Sequence, residues 1–358
     1  MSIISTLKHC VPRRLRPPLR KSAYALFPSL RYAARIQNEI NTYTAIERVH
    51  DLPPITNYWS DKYLIPLLEP FGFRNSIEFF RNYIARVCKS KPLETVWVLS
   101  VGAGDCASEI NIAEWLREQS IENFAFECVD INPAVLKRGE TAAAQKGFAD
   151  RFTLDSFDIN TWKPPRQYDV ILAIQSLHHF VELEILFEKV HQALQPAGYF
   201  LSDDMIGRNG HQRWPESLKL IHELWLELPD RYKFHHGLKQ TEIKFQNWDY
   251  SEGCFEGIRS QDILPLLIKR FHFDLFIGFG NLIDPFIDRS FGPNFDSSSE
   301  WDRSFIDRVH ALDERELESG RIKPTHMLAA MTKQPISATK MHKHMSPEFC
   351  LRQVSRWR

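Results

Sequence analysis

Val96-Trp-Val-Leu-Ser-Val-Gly-Ala-Gly-Asp-Cys106, followed by Cys128-Val-Asp-Ile-Asn132, is the stretch that decides the fold. The apolar run Val96 to Val101 reads as a strand and stops in a turn at Gly102 and Gly104. A helical pattern follows, with Ile110, Ile112, Ala113 and Leu116 on one face. A second apolar run, with Phe124, Phe126 and Val129, ends in Asp130, 26 residues beyond Gly104. This is a β-α-β unit of the nucleotide-binding kind. The glycines let backbone approach a ligand, and the helix start offers N–H groups with no intrahelical partner. An acid at the tip of the second strand can accept both hydroxyls of a ribose.

The same alternation continues. A helix is expected over 107–119, a strand over 124–129 and a helix over 133–146, with Pro133 in its first turn and Gly147 as its stop. Phe152 to Phe157 reads as a short strand ending in Asp158. Tyr168 to Ile174 is nearly all apolar, as a strand buried on both faces should be. A helix over 182–194 and a strand from Tyr199 to Leu201 complete the run. Five strands with crossover helices give an α/β, doubly wound, parallel sheet. Before it, residues 39–92 read as a helical segment: Ile40 to Val49, Tyr58 to Leu68 and Ser76 to Val87. After it come a helix over 259–270 and strands over 271–279 and 325–332. Two insertions, 206–257 and 281–324, interrupt this part, the second carrying a charged helix from Glu300 to Glu318.

The chain has 358 residues, 43% of them hydrophobic and 25% charged, which permits a large core. No apolar run reaches the ~18–20 residues that a membrane-spanning helix needs. Its six cysteines are scattered without a Cys-x-x-Cys pair, the pattern of reduced thiols in a cytoplasmic setting. No metal is expected, since His235-His236 lacks carboxylates at ligand spacing. Net charge is zero but uneven. Residues 1–38 hold eight Lys/Arg and no acid, and residues 333–358 hold six with only Glu348 opposing. Basic charge therefore sits in two tails and away from the sheet domain, which disfavours nucleic acid as substrate. The first tail mixes Arg13, Arg14, Arg16, Arg20 and Lys21 with apolar residues. A solvated end, a peripheral contact with an anionic membrane and a transit peptide all fit that composition.

Over about residues 95–205, and again near 258–332, the chain resembles the class I, S-adenosylmethionine-dependent methyltransferases. Ser100-Val-Gly-Ala-Gly-Asp105 looks like the family's first motif, and Asp130 corresponds to its ribose-binding acid. Ser156-Phe-Asp158 looks like its adenine-binding position. Tyr168 to His179 resembles the fourth motif, with a Leu-His-His ending, and Leu194-Gln-Pro-Ala-Gly198 the turn before strand five. The resemblance implies a mostly parallel seven-stranded sheet over residues 93–332 and S-adenosylmethionine as cofactor. It implies cofactor contacts from Ser100, Gly102, Gly104, Asp105, Asp130, Ile131, Asp158, Ile159 and Gln175. The family acid at position 100 is replaced here by Ser100, with Asp105 and Glu109 nearby as substitutes.

Each of these positions also has a purely structural reading: a tight turn for the glycines, a helix cap for Asp130, an Asx turn for Asp158. On the acceptor side, methyl transfer to a hydroxyl needs a proton acceptor, and His178, His179 and His211 are the candidates. Asp204, Arg208 and Trp214 leave strand five at the ligand-binding edge and suit a polar, small-molecule or glycan-type acceptor. The expected function is S-adenosylmethionine-dependent O-methylation. Two alternatives remain open: a nicotinamide-dependent oxidoreductase, since Gly102-x-Gly104-x-x-Ala107 also fits the dinucleotide fingerprint, and a silent binding protein that keeps the fold.

Overall fold

The computed structural model describes residues 28–45 and 52–352. The basic stretch with Arg13 to Lys21 lies outside them. Helix α1 (Pro28–Ala45) leads into α2 (Pro54–Trp59), which continues through a π-turn at Ser60–Leu64 to Leu68. Helix α3 (Ser76–Ser90) follows, its start capped by Asn75, whose carbonyl oxygen accepts from Glu78 N at 2.9 Å.

The sheet domain alternates β1 (Val96–Val101), α4 (Ala107–Glu118), β2 (Phe124–Asp130), α5 (Pro133–Gln145), β3 (Phe152–Ser156), β4 (Tyr168–Ile174), α6 (Leu183–Ala193) and β5 (Leu194–Met205). Then come α7 (Pro215–Glu227), α8 (Ser260–Arg270), β6 (His272–Phe279), α9 (Glu300–Glu318), β7 (His326–Thr332) and β8 (Lys340–Met341). The strands form one sheet in the order β8-β6-β7-β5-β4-β1-β2-β3. All neighbours are parallel except β7, which runs antiparallel to both β5 and β6.

Strand alternation explains the two faces. Leu99, Val101, Ile171, Ala173, Met327 and Ala329 point to one core with Phe187, Leu224 and Leu267 of the helices there. Val96, Val98, Val170, Leu172, Leu328 and Ala330 point to the other, with Phe80, Ile112 and Leu136. The phenylalanines of α3 thus fasten the front helices to the sheet.

Four expectations need correction. The sheet has eight strands where seven were expected, because the C-terminal basic stretch folds back and Lys340–Met341 pairs with β6. Strand five is longer than Tyr199 to Leu201, because it has partners on both sides, β4 and β7. The helix expected from Ile40 begins at Pro28, so residues 28–38 belong to α1 and not to a tail. The insertion 206–257 contains α7, whose Ile221, Leu224 and Trp225 are buried.

Gly198 shows how local sequence serves the sheet. A methyl group added there would lie 2.8 Å from the Asp169 carbonyl oxygen and 3.0 Å from Leu194 Cδ1, where the β4–β5 register shifts. Gly198→Ala should destabilise the fold by about 1–3 kcal/mol through overpacking. Urea unfolding measures this, and a change within experimental error would show that the register does not depend on the missing side chain.

Candidate functional site

The carboxyl ends of β1, β2, β4 and β5 meet at one edge, where open α/β sheets bind ligands. At the β1 end, Gly102 (φ 73°) and Gly104 (φ 55°) both adopt the left-handed backbone that glycine tolerates. Their surroundings differ. A Cβ on Gly102 would stand 2.6 Å from Ser176 Cβ, so this glycine is required by packing. A Cβ on Gly104 would have nothing within 4 Å, so this glycine faces open space. Gly104 N donates to Asp130 Oδ2 at 2.9 Å, and Asn132 N donates to Asp130 Oδ1 at 2.8 Å. Burial raises the Asp130 pKa, and the two N–H donors offset this only in part. The loop and the tip of β2 are thereby locked together. Asp158, beyond β3, accepts from the Tyr32 hydroxyl of α1 at 3.0 Å.

Not every expected cofactor residue opens on this edge. The Ser100 side chain is buried and donates to Glu109 Oε1 at 2.5 Å, so it positions α4 and does not reach the cleft. Ile159 is also buried. Asp105 Oδ1 accepts from Ala107 N at 3.2 Å at the start of α4. Ile131 is half-buried beside Asp130. Gln175, with φ 50°, donates from Nε2 to Asp203 Oδ1 at 2.9 Å.

The histidines converge. His178 Nδ1 meets Asp204 Oδ1 at 2.7 Å, and His179 Nδ1 meets Glu39 Oε1 of α1 at 2.6 Å. His211 Nε2 meets Glu256 Oε1 at 2.7 Å. The Nε2 atoms of His178 and His179 each stand 3.6 Å from a Glu256 oxygen. Three imidazoles therefore surround one carboxylate. Burial lowers the pKa of His211, and the Glu256 contact opposes this without reversing it. For His179 burial acts downward too, but Glu39 and Glu256 outweigh it and the pKa is raised. Glu256 is held below the carboxylate range: burial pushes it up, and the three histidines more than compensate.

The backbone that places these groups is built from tight approaches. Gly210 (φ 63°) and His211 (φ 53°) are successive left-handed residues. A side chain on Gly210 would overlap the Asp249 carboxylate, and one on Gly257 would lie 3.0 Å from His211 Cε1. Gly210 N donates to Gly257 O at 2.7 Å, and Ile258 N donates to His178 O at 3.0 Å. The end of the first insertion is thus pinned across both histidines.

Three expected acceptor residues have other duties. Asp204 is fully buried and accepts from Ser176 N, Leu177 N and Met205 N at 2.7–2.9 Å, so its place is behind His178, which it orients. Arg208 donates to Arg213 O at 3.1 Å and stacks on Trp214. The Trp214 ring holds two cations of the chain itself, with the Arg208 and Arg352 guanidinium carbons 5.4 and 4.3 Å from its centre. In the second insertion Phe286, Phe291 and Phe295 are buried in the core. Glu39 and Glu256 were missed by the sequence reading. For Glu256 the available signal was the Glu-Gly pair, Glu256-Gly257, next to turn residues.

Residues 99–200 match a family model described as a methyltransferase domain. No curated protein matches the chain. Among solved structures, similarity extends to an O-methyltransferase from a trans-AT polyketide synthase multienzyme of Brevibacillus brevis in complex with S-adenosyl-L-homocysteine. That pair has 16% identity and a TM-score of 0.41, covering 81% of this chain and 86% of the other. A geranyl diphosphate methyltransferase in complex with geranyl diphosphate and sinefungin shows 12% identity and a TM-score of 0.40, covering 72% and 78%. A methyltransferase from Clostridium acetobutylicum shows 19% identity and a TM-score of 0.30, covering 42% and 62%. Residues 99–200, within the sheet, are thus similar to a methyltransferase domain. Among the described residues no helix is long and apolar enough to cross a membrane.

Glu109 gives the site region a pH signature. Burial raises its pKa to about 7, and the Ser100 hydrogen bond offsets this only in part. A carboxyl with a raised pKa binds its proton more tightly when folded, so folded stability falls as pH rises from about 4.5 to about 7. Glu109→Gln should remove that decline. Its thermal midpoint, compared with the parent protein's, should improve between pH 5 and pH 8. A difference independent of pH would mean that Glu109 titrates as an ordinary exposed acid.

Proposed function

We propose that the chain transfers the methyl group of S-adenosylmethionine to an oxygen of a polar, small-molecule or glycan-type acceptor. The observation that carries this reading is the set of three imidazoles around Glu256, next to the glycine loop. A nitrogen nucleophile with a lone pair needs no such cluster; a neutral hydroxyl must lose a proton.

S-adenosylmethionine brings an electrophilic sulfonium methyl. The chain's own residues hold and orient. The open face at Gly104 admits backbone contact with the cofactor, Asp130 takes the ribose, and Asp158 stands at the adenine end beneath Tyr32. Gly102, Asp105, Ile131 and Gln175 complete the wall by backbone position. Ser100 and Ile159 support that wall from behind. The acceptor hydroxyl lies against the Glu256 cluster, which ionises it. A bond forms between acceptor oxygen and methyl carbon, the carbon–sulfur bond breaks with its electron pair left on sulfur, and the hydroxyl proton leaves by the cluster. In-line positioning supplies much of the acceleration. Glu39 of α1 holds His179 against the cluster, and Tyr32 reaches Asp158, so α1 covers both the cofactor and the acceptor side.

Screening sugars, phenols and other hydroxyl compounds with methyl-labelled cofactor identifies the acceptor. With it in hand, His211→Ala and His178→Ala should each reduce turnover by about 10²–10⁴-fold while leaving cofactor affinity nearly unchanged. Gly104→Ala should do the opposite, folding normally yet losing affinity for S-adenosylhomocysteine. Full activity in both histidine variants would show that the acceptor needs no ionisation, as a nitrogen would not. Cofactor binding without transfer to any acceptor would favour a silent binding protein.

A further inference from the structure

We infer that His178, His211 and Glu256 form a binding site for one divalent transition-metal ion of the zinc class. One ligand atom from each of the three residues lies within 4.8 Å of the others. His211 Nε2 and His178 Nε2 stand 2.7 and 3.6 Å from the same Glu256 oxygen. Around a tetrahedral zinc with bonds of ~2.0–2.2 Å, ligand atoms stand about 3.4 Å apart, so small side-chain adjustments seat the ion. The three positions are 33 and 45 residues apart, which is why no ligand spacing was visible in the sequence.

The surroundings favour a metal as well. The Asp204 carboxylate can only accept at His178 Nδ1, which leaves Nε2 on the side of Glu256. A carboxylate behind a histidine, fixing its tautomer and ring plane, is the usual support of a metal-bound imidazole. Asp204 is itself held by four backbone N–H groups. His211 is fixed from behind by its own left-handed backbone and by Gly257. Glu256, Asp204 and Glu39 gather three carboxylates at this edge, whose charge a dication helps to offset. Two nitrogens and one carboxylate suit zinc, cobalt or manganese better than calcium or magnesium. Three protein ligands leave a coordination position for an acceptor oxygen, the arrangement of a catalytic site and not of a structural one. That use of the ion, though not its presence, rests on the hydroxyl-methylation reading. The hydroxyl would ionise on the cation and its proton would pass to water.

The test uses the full chain, stripped with chelator and titrated with Zn²⁺ by calorimetry and with Co²⁺ by visible absorption. One equivalent of Zn²⁺ should bind, and Co²⁺ should give the intense bands of a low-coordinate site. His178→Ala and Glu256→Gln should each weaken Zn²⁺ binding by ~10–100-fold. His272→Ala, exposed at the start of β6, should not. S-adenosylhomocysteine affinity reports whether each variant is folded. If Zn²⁺ fails to bind stoichiometrically, or binds equally well to the folded His178→Ala/His211→Ala double variant, the inference is overturned. Undiminished methylation of a hydroxyl in the presence of chelator, with no bound metal, would sink the ion's catalytic use and leave the proposed function standing. Stoichiometric Zn²⁺ without methylation of any hydroxyl would do the reverse.

Discussion

The Asp204 carboxylate at the end of β5 is the interaction on which the site depends. It is fully buried, and it gathers backbone N–H groups from Ser176, Leu177 and Met205 together with His178 Nδ1. A buried charge persists only when polar partners replace its lost water, and here they come from both strand ends. The turn after β4 is thereby tied to β5, and His178 is aimed before any ligand arrives. A second tie, from Gln175 N to Asp203 O at 2.7 Å, closes the same turn one residue earlier. Asp204 acts on the chemistry through the imidazole it holds.

Everything else at the edge is brought to that fixed point. The first insertion loops out after β5 and returns with His211 and Glu256, held by glycines that let backbone pass within van der Waals contact. Arg213, in the same insertion, pairs with Asp284 of the second insertion at 2.7 Å, and Asp284 also accepts from Thr325 beside β7 at 2.7 Å. Helix α1 closes from the other side with Tyr32 and Glu39. The sheet and its strand ends thus supply the glycine loop, His178, His179 and Asp204, while the additions to the sheet supply His211, Glu256 and Glu39. That division suits a fold that changes acceptor by changing loops.

The sheet was legible because its signals are local. A two-residue alternation assigns Val98 and Leu99 to opposite cores, and Gly102, Asp130 and Gly198 mark chain reversals within a few residues. The start of α5 was legible for the same reason, with Pro133 in its first turn, whereas α1 and α2 begin at Pro28 and Pro54, ahead of the expected starts at Ile40 and Tyr58. The acceptor side was not. Glu39 and Glu256 reach the histidines across long stretches of chain, and only the glycine after Glu256 sets either apart from a surface acid. Trp214 misled for a related reason: an aromatic side chain beside the edge suits a sugar, but two arginines of the chain already occupy it. Ser100, expected at the cofactor, is instead buried against Glu109. The eighth strand was missed because two residues carry no periodicity.

The claim that this edge is a methyl-transfer site is tested most directly by calorimetry of the full chain with S-adenosylhomocysteine and, separately, with NAD. One equivalent of S-adenosylhomocysteine should bind, and NAD should give no heat beyond dilution. Binding of NAD with no uptake of S-adenosylhomocysteine would contradict it and return the glycine loop to the dinucleotide class.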